Sequence, residues 1–174
     1  MFLRSINPLV RAVSGTAFAL ALTILPSAHQ GHAAEGPFTN MTGSWSGPGT
    51  ITVNNNKERL RCRAGYNVSN NGSTVDMQIR CASDSYKFDL QGGVNSNNGV
   101  LSGTWSESAH GAAGEIAGTV SGGVIRARAT GPYFSAHLSL NTRGNSQSIS
   151  LNAPGGQISS VAITLNKSGA TAAR

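Results

Sequence analysis

Apolar and polar residues alternate across the stretch from Glu58 to Ala82, with an Asn71-Gly72 dipeptide in its middle. Period-two alternation marks a strand with one buried face. Asn-Gly favours a two-residue type I′ turn, because both central positions need positive φ. In the register this turn sets, Val68 meets Val75, Tyr66 meets Met77, Ala64 meets Ile79, and Cys62 meets Cys81. Arg61, Arg63, Asn67, Asp76, Gln78 and Arg80 fall on the other face. A one-residue slip would expose the apolar set and bury the arginines, so the register is strongly specified.

The same pattern runs through the rest of the chain. Gly43-Ser44-Trp45 opens a strand that continues through Ile51 and Val53 to a turn at Asn54-Asn55-Asn56. Tyr86, Phe88 and Leu90 alternate with Lys87, Asp89 and Gln91, and Asn98-Gly99 sets Val94 against Gly103 and Gly92 against Trp105. Ser108 to Gly114 reads as a looser stretch. Gly122-Gly123 then pairs Val120 with Ile125, Gly118 with Ala127 and Ile116 with Ala129, sending Arg126 and Arg128 to the opposite face. Phe134 to Leu140, Ile149 with Leu151, and Val161 to Leu165 follow, separated by turns near Gly144 and at Pro154-Gly155-Gly156. No stretch past residue 34 shows helical period.

About 8 to 10 short strands joined by tight turns predict an all-β, single antiparallel up-and-down meander. Such a meander removes its two exposed edges by closing, so the expected fold is a closed or nearly closed β-barrel; a two-sheet β-sandwich is the alternative. An outer-membrane barrel is disfavoured because the strands read as mostly shorter than the roughly 9 to 11 residues needed to span. One face also carries Arg, Asp, Lys and Gln, and aromatic girdles are missing.

The start of the chain departs from this pattern. Arg4 and Arg11 precede the apolar run Ala17 to Leu25, Pro26 breaks it, and small residues follow to Ala34. That is the layout of a signal peptide over residues 1–34, leaving a β-barrel domain at 35–167 and a frayed tail at 168–174. Its removal leaves 140 of 174 residues, one domain's worth, and takes Lys+Arg from 13 to 11 against 7 carboxylates, a net charge of +4. The expected location is periplasmic or secreted. In that compartment the two cysteines, Cys62 and Cys81, should form a disulfide. As a hydrogen-bonded cross-strand pair their Cα atoms would lie about 5.5 Å apart, and closing the loop is worth about 3 kcal/mol.

Catalytic signatures are absent: no Gly-x-Ser-x-Gly elbow, His-Glu-x-x-His helix or phosphate-cradling loop occurs. No enzymatic activity, cofactor or metal is expected. Glu107 and His110 share a loop and read as solvated, and His137 has the polar phase of its strand. The basic residues carry more information. Arg63 and Arg80 oppose each other, with Arg59 and Arg61 nearby, and facing like charges are unfavourable unless something relieves them. An anionic partner would do so: an envelope glycan, a lipid headgroup or an acidic protein. The competing reading is that Asp76, Asp84 or Asp89 neutralises them. A small apolar ligand at a barrel mouth lined by Tyr66, Met77, Tyr86, Phe88 and Phe134, with Trp45 and Trp105 as pocket or core, is a further reading; its competitor is ordinary core. Nucleic acid is disfavoured, since no aromatics interleave with the charges.

Gly43-Ser44-Trp45 resembles the Gly-x-Trp of the calycins, the barrel superfamily of lipocalins and avidins, and Gly103-Thr104-Trp105 repeats it. The resemblance implies that Trp45 packs across a closed barrel end. Later lipocalin motifs are missing, and two Trp are too few for an avidin-like biotin site. More of the chain resembles short exported bacterial proteins of unknown function, through RCRAGY at 61–66, RCASDSYKFDL at 80–90, SGTWSE at 102–107, TRG at 142–144 and VAITL at 161–165. That resemblance implies export and a barrel, and no activity. Bacterial inhibitors of proteases and lysozymes are also small periplasmic barrels, so inhibition of an envelope or secreted enzyme is an alternative, although a basic domain suits a cationic lysozyme poorly. The sequence therefore points to a non-enzymatic exported barrel that binds a partner or maintains the envelope.

Overall fold

Ten alternating stretches form strands: β1 (Gly43–Val53), β2 (Asn56–Ser69), β3 (Thr74–Ala82), β4 (Lys87–Asn97), β5 (Val100–Glu107), β6 (Ala112–Ser121), β7 (Val124–Gly131), β8 (Phe134–Arg143), β9 (Ser146–Asn152) and β10 (Ile158–Lys167). The structure is a computed structural model describing residues 35–132 and 134–169. The expected signal peptide, residues 170–174 of the tail and the side chain of Phe134 lie outside the described residues. Each strand pairs antiparallel with its sequence neighbours, and β1 also pairs with β10, which closes the barrel.

The β2–β3 register is the expected one, with Val68 on Val75, Tyr66 on Met77, Ala64 on Ile79 and Cys62 on Cys81. Asn71 (φ 53°, ψ 36°) and Gly72 (φ 85°) hold the type I′ conformation, and the Ser73 N–H donates to the Asn70 carbonyl at 3.1 Å. Asn70 also has positive φ, 50°, so the ladder stops at Ser69–Thr74, one pair before the turn. The disulfide is present, with Cα atoms 4.2 Å apart rather than 5.5 Å. That is the spacing of the closely approaching pairs in an antiparallel ladder.

Two further expectations are corrected. The looser stretch ends at Gly111, because Ala112 and Gly114 already continue the alternation opposite Glu107 and Trp105. The strands are not short: β2 has 14 residues and β1 and β4 have 11 each. Length therefore says nothing against a membrane barrel, and the direction of the faces decides instead. Apolar side chains point inward and Arg59, Arg61, Arg63, Asp76 and Arg80 point outward, the reverse of a lipid-facing wall. Among the described residues no helix is long and apolar enough to cross a membrane.

The core fills from the end where β1 begins. Residues 36–41 fold across that opening, with the N–H groups of Gly36 and Phe38 donating to the carbonyls of Asn71 (2.8 Å) and Gly72 (3.0 Å). Phe38 and Met41 are buried beneath them. Trp45 lies here, 1% exposed, its Nε1–H donating to the Met41 carbonyl at 2.8 Å and its ring meeting Tyr66 edge-on at 6.4 Å. The Tyr66 hydroxyl donates to Gln147 Oε1 at 2.6 Å, and Gln147 Nε2 donates to Thr142 Oγ1 at 3.0 Å. Burial pushes the Tyr66 phenol well above its ordinary range, against the opposing effect of Gln147. Inward glycines let the wall bend here: a Cβ at Gly47 would overlap the Thr164 carbonyl of β10, so no larger residue fits at this closure.

Candidate functional site

The outward positions of β2 carry four cations in succession, Lys57, Arg59, Arg61 and Arg63, all exposed. Alternate residues on a strand are about 7 Å apart, so the row is about 20 Å long. Their partners on β1 are Thr52, Thr50, Pro48 and Ser46, which are uncharged. On β3, Arg63 faces Arg80 and Arg61 faces Ala82. Arg80 Nε donates to Asp89 Oδ2 on β4 at 2.8 Å, so one of the four expected anion-docking arginines is already neutralised. Among the described residues no carboxylate pairs with Arg59, Arg61 or Arg63.

Beside this row a groove of about 860 Å³ runs over the outer wall, lined by Ser46, Pro48, Arg61, Arg63, Arg80, Ala82, Lys87 and Asp89 among others. The structure therefore brings Arg61, Arg63 and Arg80 to one groove, while Arg59 extends the row beyond it. Lys57 and Lys87 are additions that sequence reasoning missed. The signal for Lys57 was there, since it shares the phase of Arg59, two residues on. Lys87 needed the β3–β4 register, which sets it against Ala82.

The described pocket-or-core candidates belong to or pack on one core, and they do not share one barrel mouth. Trp45, Tyr66 and Trp105 are buried core, and Trp105 Nε1 donates to the Thr130 carbonyl at 3.2 Å. Met77 lies against Gly92, where a Cβ would meet its side chain. Tyr86 and Phe88 sit at the other end of the barrel, half-buried. There, Tyr86 stacks on His110 with ring centroids 5.0 Å apart and planes 10° from parallel.

Glu107 corrects the expectation of two solvated loop residues. It is only 9% exposed. Its carboxylate accepts from the backbone N–H groups of Asp89 (2.8 Å), Ala109 (3.0 Å) and His110 (2.8 Å), and contacts His110 Nδ1 at 2.7 Å. Burial pushes the Glu107 carboxyl up, but the donors from Asp89, Ala109 and His110 together outweigh it and hold the group below the usual carboxylate range. Glu107 thus anchors the β5–β6 loop. Burial, then the charge of Glu107, pushes the Tyr86 phenol up. Across the mouth, the hydroxyls of Ser83 and Ser85 donate to Glu58, both at 2.5 Å, and lower its pKa. No group of three potential metal ligands occurs among the described residues. His137 is exposed and accepts at Nε2 from Arg128 Nη2 at 3.2 Å.

No family model matches the sequence, and no curated protein matches it. Among solved structures the chain is similar to Rv2717c from M. tuberculosis, with a TM-score of 0.57 and 15% identity over 74% of this chain and 93% of that one. It is also similar to the S-type phycobiliprotein lyase CPES from Guillardia theta, with a TM-score of 0.53 and 11% identity over 77% of this chain and 92% of that one. At such identities the likeness is one of fold, the closed antiparallel β-barrel.

Proposed function

We propose that this protein is an exported, non-enzymatic binding protein that docks linear acidic glycans along the outer face of β2. The observation that carries the reading is the row Lys57, Arg59, Arg61 and Arg63, whose arginines have no carboxylate partner among the described residues. Arginine presents a planar fork suited to carboxylate and phosphate, and holding three such forks in line without internal neutralisation favours an external polyanion. A linear chain fits better than a lipid surface, because the one exposed large apolar side chain among the described residues is Val100 on β5. A protein partner would call for a broad apolar centre to the patch, and on β1 only Pro48, opposite Arg61, is apolar among the polar Ser46, Thr50 and Thr52. The leader pattern and the disulfide support export.

The test is binding of the mature protein to polygalacturonate, with neutral dextran as control, at two ionic strengths. Polygalacturonate should bind, more weakly at high salt, and Arg59→Gln/Arg61→Gln/Arg63→Gln should lower affinity at least tenfold. Equal binding to dextran, or an unaffected triple variant, would overturn the reading. A second reading, carriage of a small apolar molecule, rests on Phe88, Leu90, Leu138 and Leu151, which face the interior but are only partly covered. Native mass spectrometry of gently purified protein tests it: extra mass lost on denaturation supports a carried ligand, and a bare mass removes that reading.

A further inference from the structure

We infer that the barrel binds two acidic glycan chains at once, on opposite walls, and so bridges them; this rests on the reading of the β2 row given above. In the closed ring β2 and β7 are diametrically opposed. β3 to β6 lie between them one way, and β1, β10, β9 and β8 the other. β7 sends Arg126 and Arg128 outward, both exposed, and neither has a carboxylate partner among the described residues. Arg126 sits between Thr119 and Ser139, and Arg128 between Ala117 and His137. Arg128 donates to His137 Nε2 at 3.2 Å and contacts Ser135 Oγ at 3.5 Å, which spreads its guanidinium along the wall. The nearest carboxylate in the ladder, Glu115, faces Thr130 and makes no ion pair. The second wall therefore repeats, in shorter form, the charge pattern of the first.

The two rows are separate sites and not one belt. On the β10 and β9 side the outward positions are Ser160, Ala162 and Thr164, then Ser146, Ser148 and Ser150, all uncharged. Ten strands about 4.8 Å apart and tilted close into a barrel roughly 20 Å across at the backbone. That exceeds the Debye length of about 8 Å at physiological salt, so chains on opposite walls scarcely repel each other. Bivalence also gains avidity, because a protein held by one chain presents its other row to a neighbour at high effective concentration.

The experiment uses the mature disulfide-bonded protein, a short oligogalacturonide that covers one row, and long polygalacturonate. Calorimetry should give two oligomers per wild-type protein and one for either Arg59→Gln/Arg61→Gln/Arg63→Gln or Arg126→Gln/Arg128→Gln. Light scattering from the long polymer should rise at least tenfold with wild type, fall again at excess protein, and stay flat with either variant. All the substituted side chains are exposed, and circular dichroism with an intact disulfide checks folding; Arg126→Lys/Arg128→Lys should keep the clustering. One oligomer per wild-type protein, abolished by the β2 variant, would overturn the bridge and leave the β2 reading standing. Two oligomers undiminished by the β7 variant would overturn the assignment to β7. No binding by wild type would overturn both.

Discussion

Reducing the Cys62–Cys81 bridge tests how the barrel is held together. The bridge spans 19 residues of sequence and joins facing positions of β2 and β3. By loop-closure entropy, cross-linking a loop of this length removes about 3 kcal/mol from the unfolded state's advantage. Unfolding entropy at about 2.1 cal/mol/K per residue, over roughly 135 residues, is about 0.28 kcal/mol/K, so the loss corresponds to about 10 °C in Tm. Both cysteines are 3% exposed, inside the wall, so reductant and alkylating agent should reach them only through unfolding. The assay is urea denaturation of the oxidised protein and of protein reduced while unfolded and then refolded, followed by circular dichroism. The midpoint should fall with the slope nearly unchanged, and alkylation should track the unfolded fraction. A loss below about 1 kcal/mol would refute the reasoning, because it would show the unfolded hairpin already closed by its Asn71-Gly72 turn. Rapid alkylation of the folded protein would contradict the burial.

Tyr66→Phe should cost about 1–3 kcal/mol by leaving the buried Gln147 Oε1 without its donor, and adding Gln147→Leu should recover part of the loss in a double-mutant cycle of urea midpoints. The folded Glu107 carboxyl is held below its ordinary value, so its contribution is fully present above about pH 4.3 and is lost as pH falls through the lower folded pKa. Glu107→Gln should therefore be less stable than wild type at pH 7, with the gap narrowing as pH falls below about 4.3; a gap independent of pH, seen in Tm, would contradict this. Gly47→Ala should cost about 1–3 kcal/mol, since its Cβ would meet the Thr164 backbone. Gly65→Ala, with open space around its Cβ, should be neutral or slightly stabilising in the same denaturation assay.

Whatever depends on neighbours along the chain was legible before folding. Period-two alternation and the turn chemistry of Asn71-Gly72, Asn98-Gly99 and Gly122-Gly123 set three hairpin registers, and with them the cysteine pairing and the outward phase of Arg59, Arg61, Arg63, Arg126 and Arg128. A strand's faces follow from parity alone, so half of the candidate site was legible before any tertiary contact. The Asp89 neutralisation of Arg80 was open among three aspartates until the β3–β4 register chose one. The rest depends on contacts between segments far apart in the chain. Closure of β1 on β10 joins segments at opposite ends of the domain, and no local pattern encodes it. The cover at residues 36–41 and the Tyr66–Gln147 bond, 81 residues apart in sequence, depend on that closure. Glu107 has the composition of a solvated loop residue, yet three backbone N–H groups converge on it, and only the folded mouth brings them there. The opposition of β2 and β7 has the same origin. It is a property of a closed ring of ten strands, and an open sheet of the same hairpins would have placed both rows on one face.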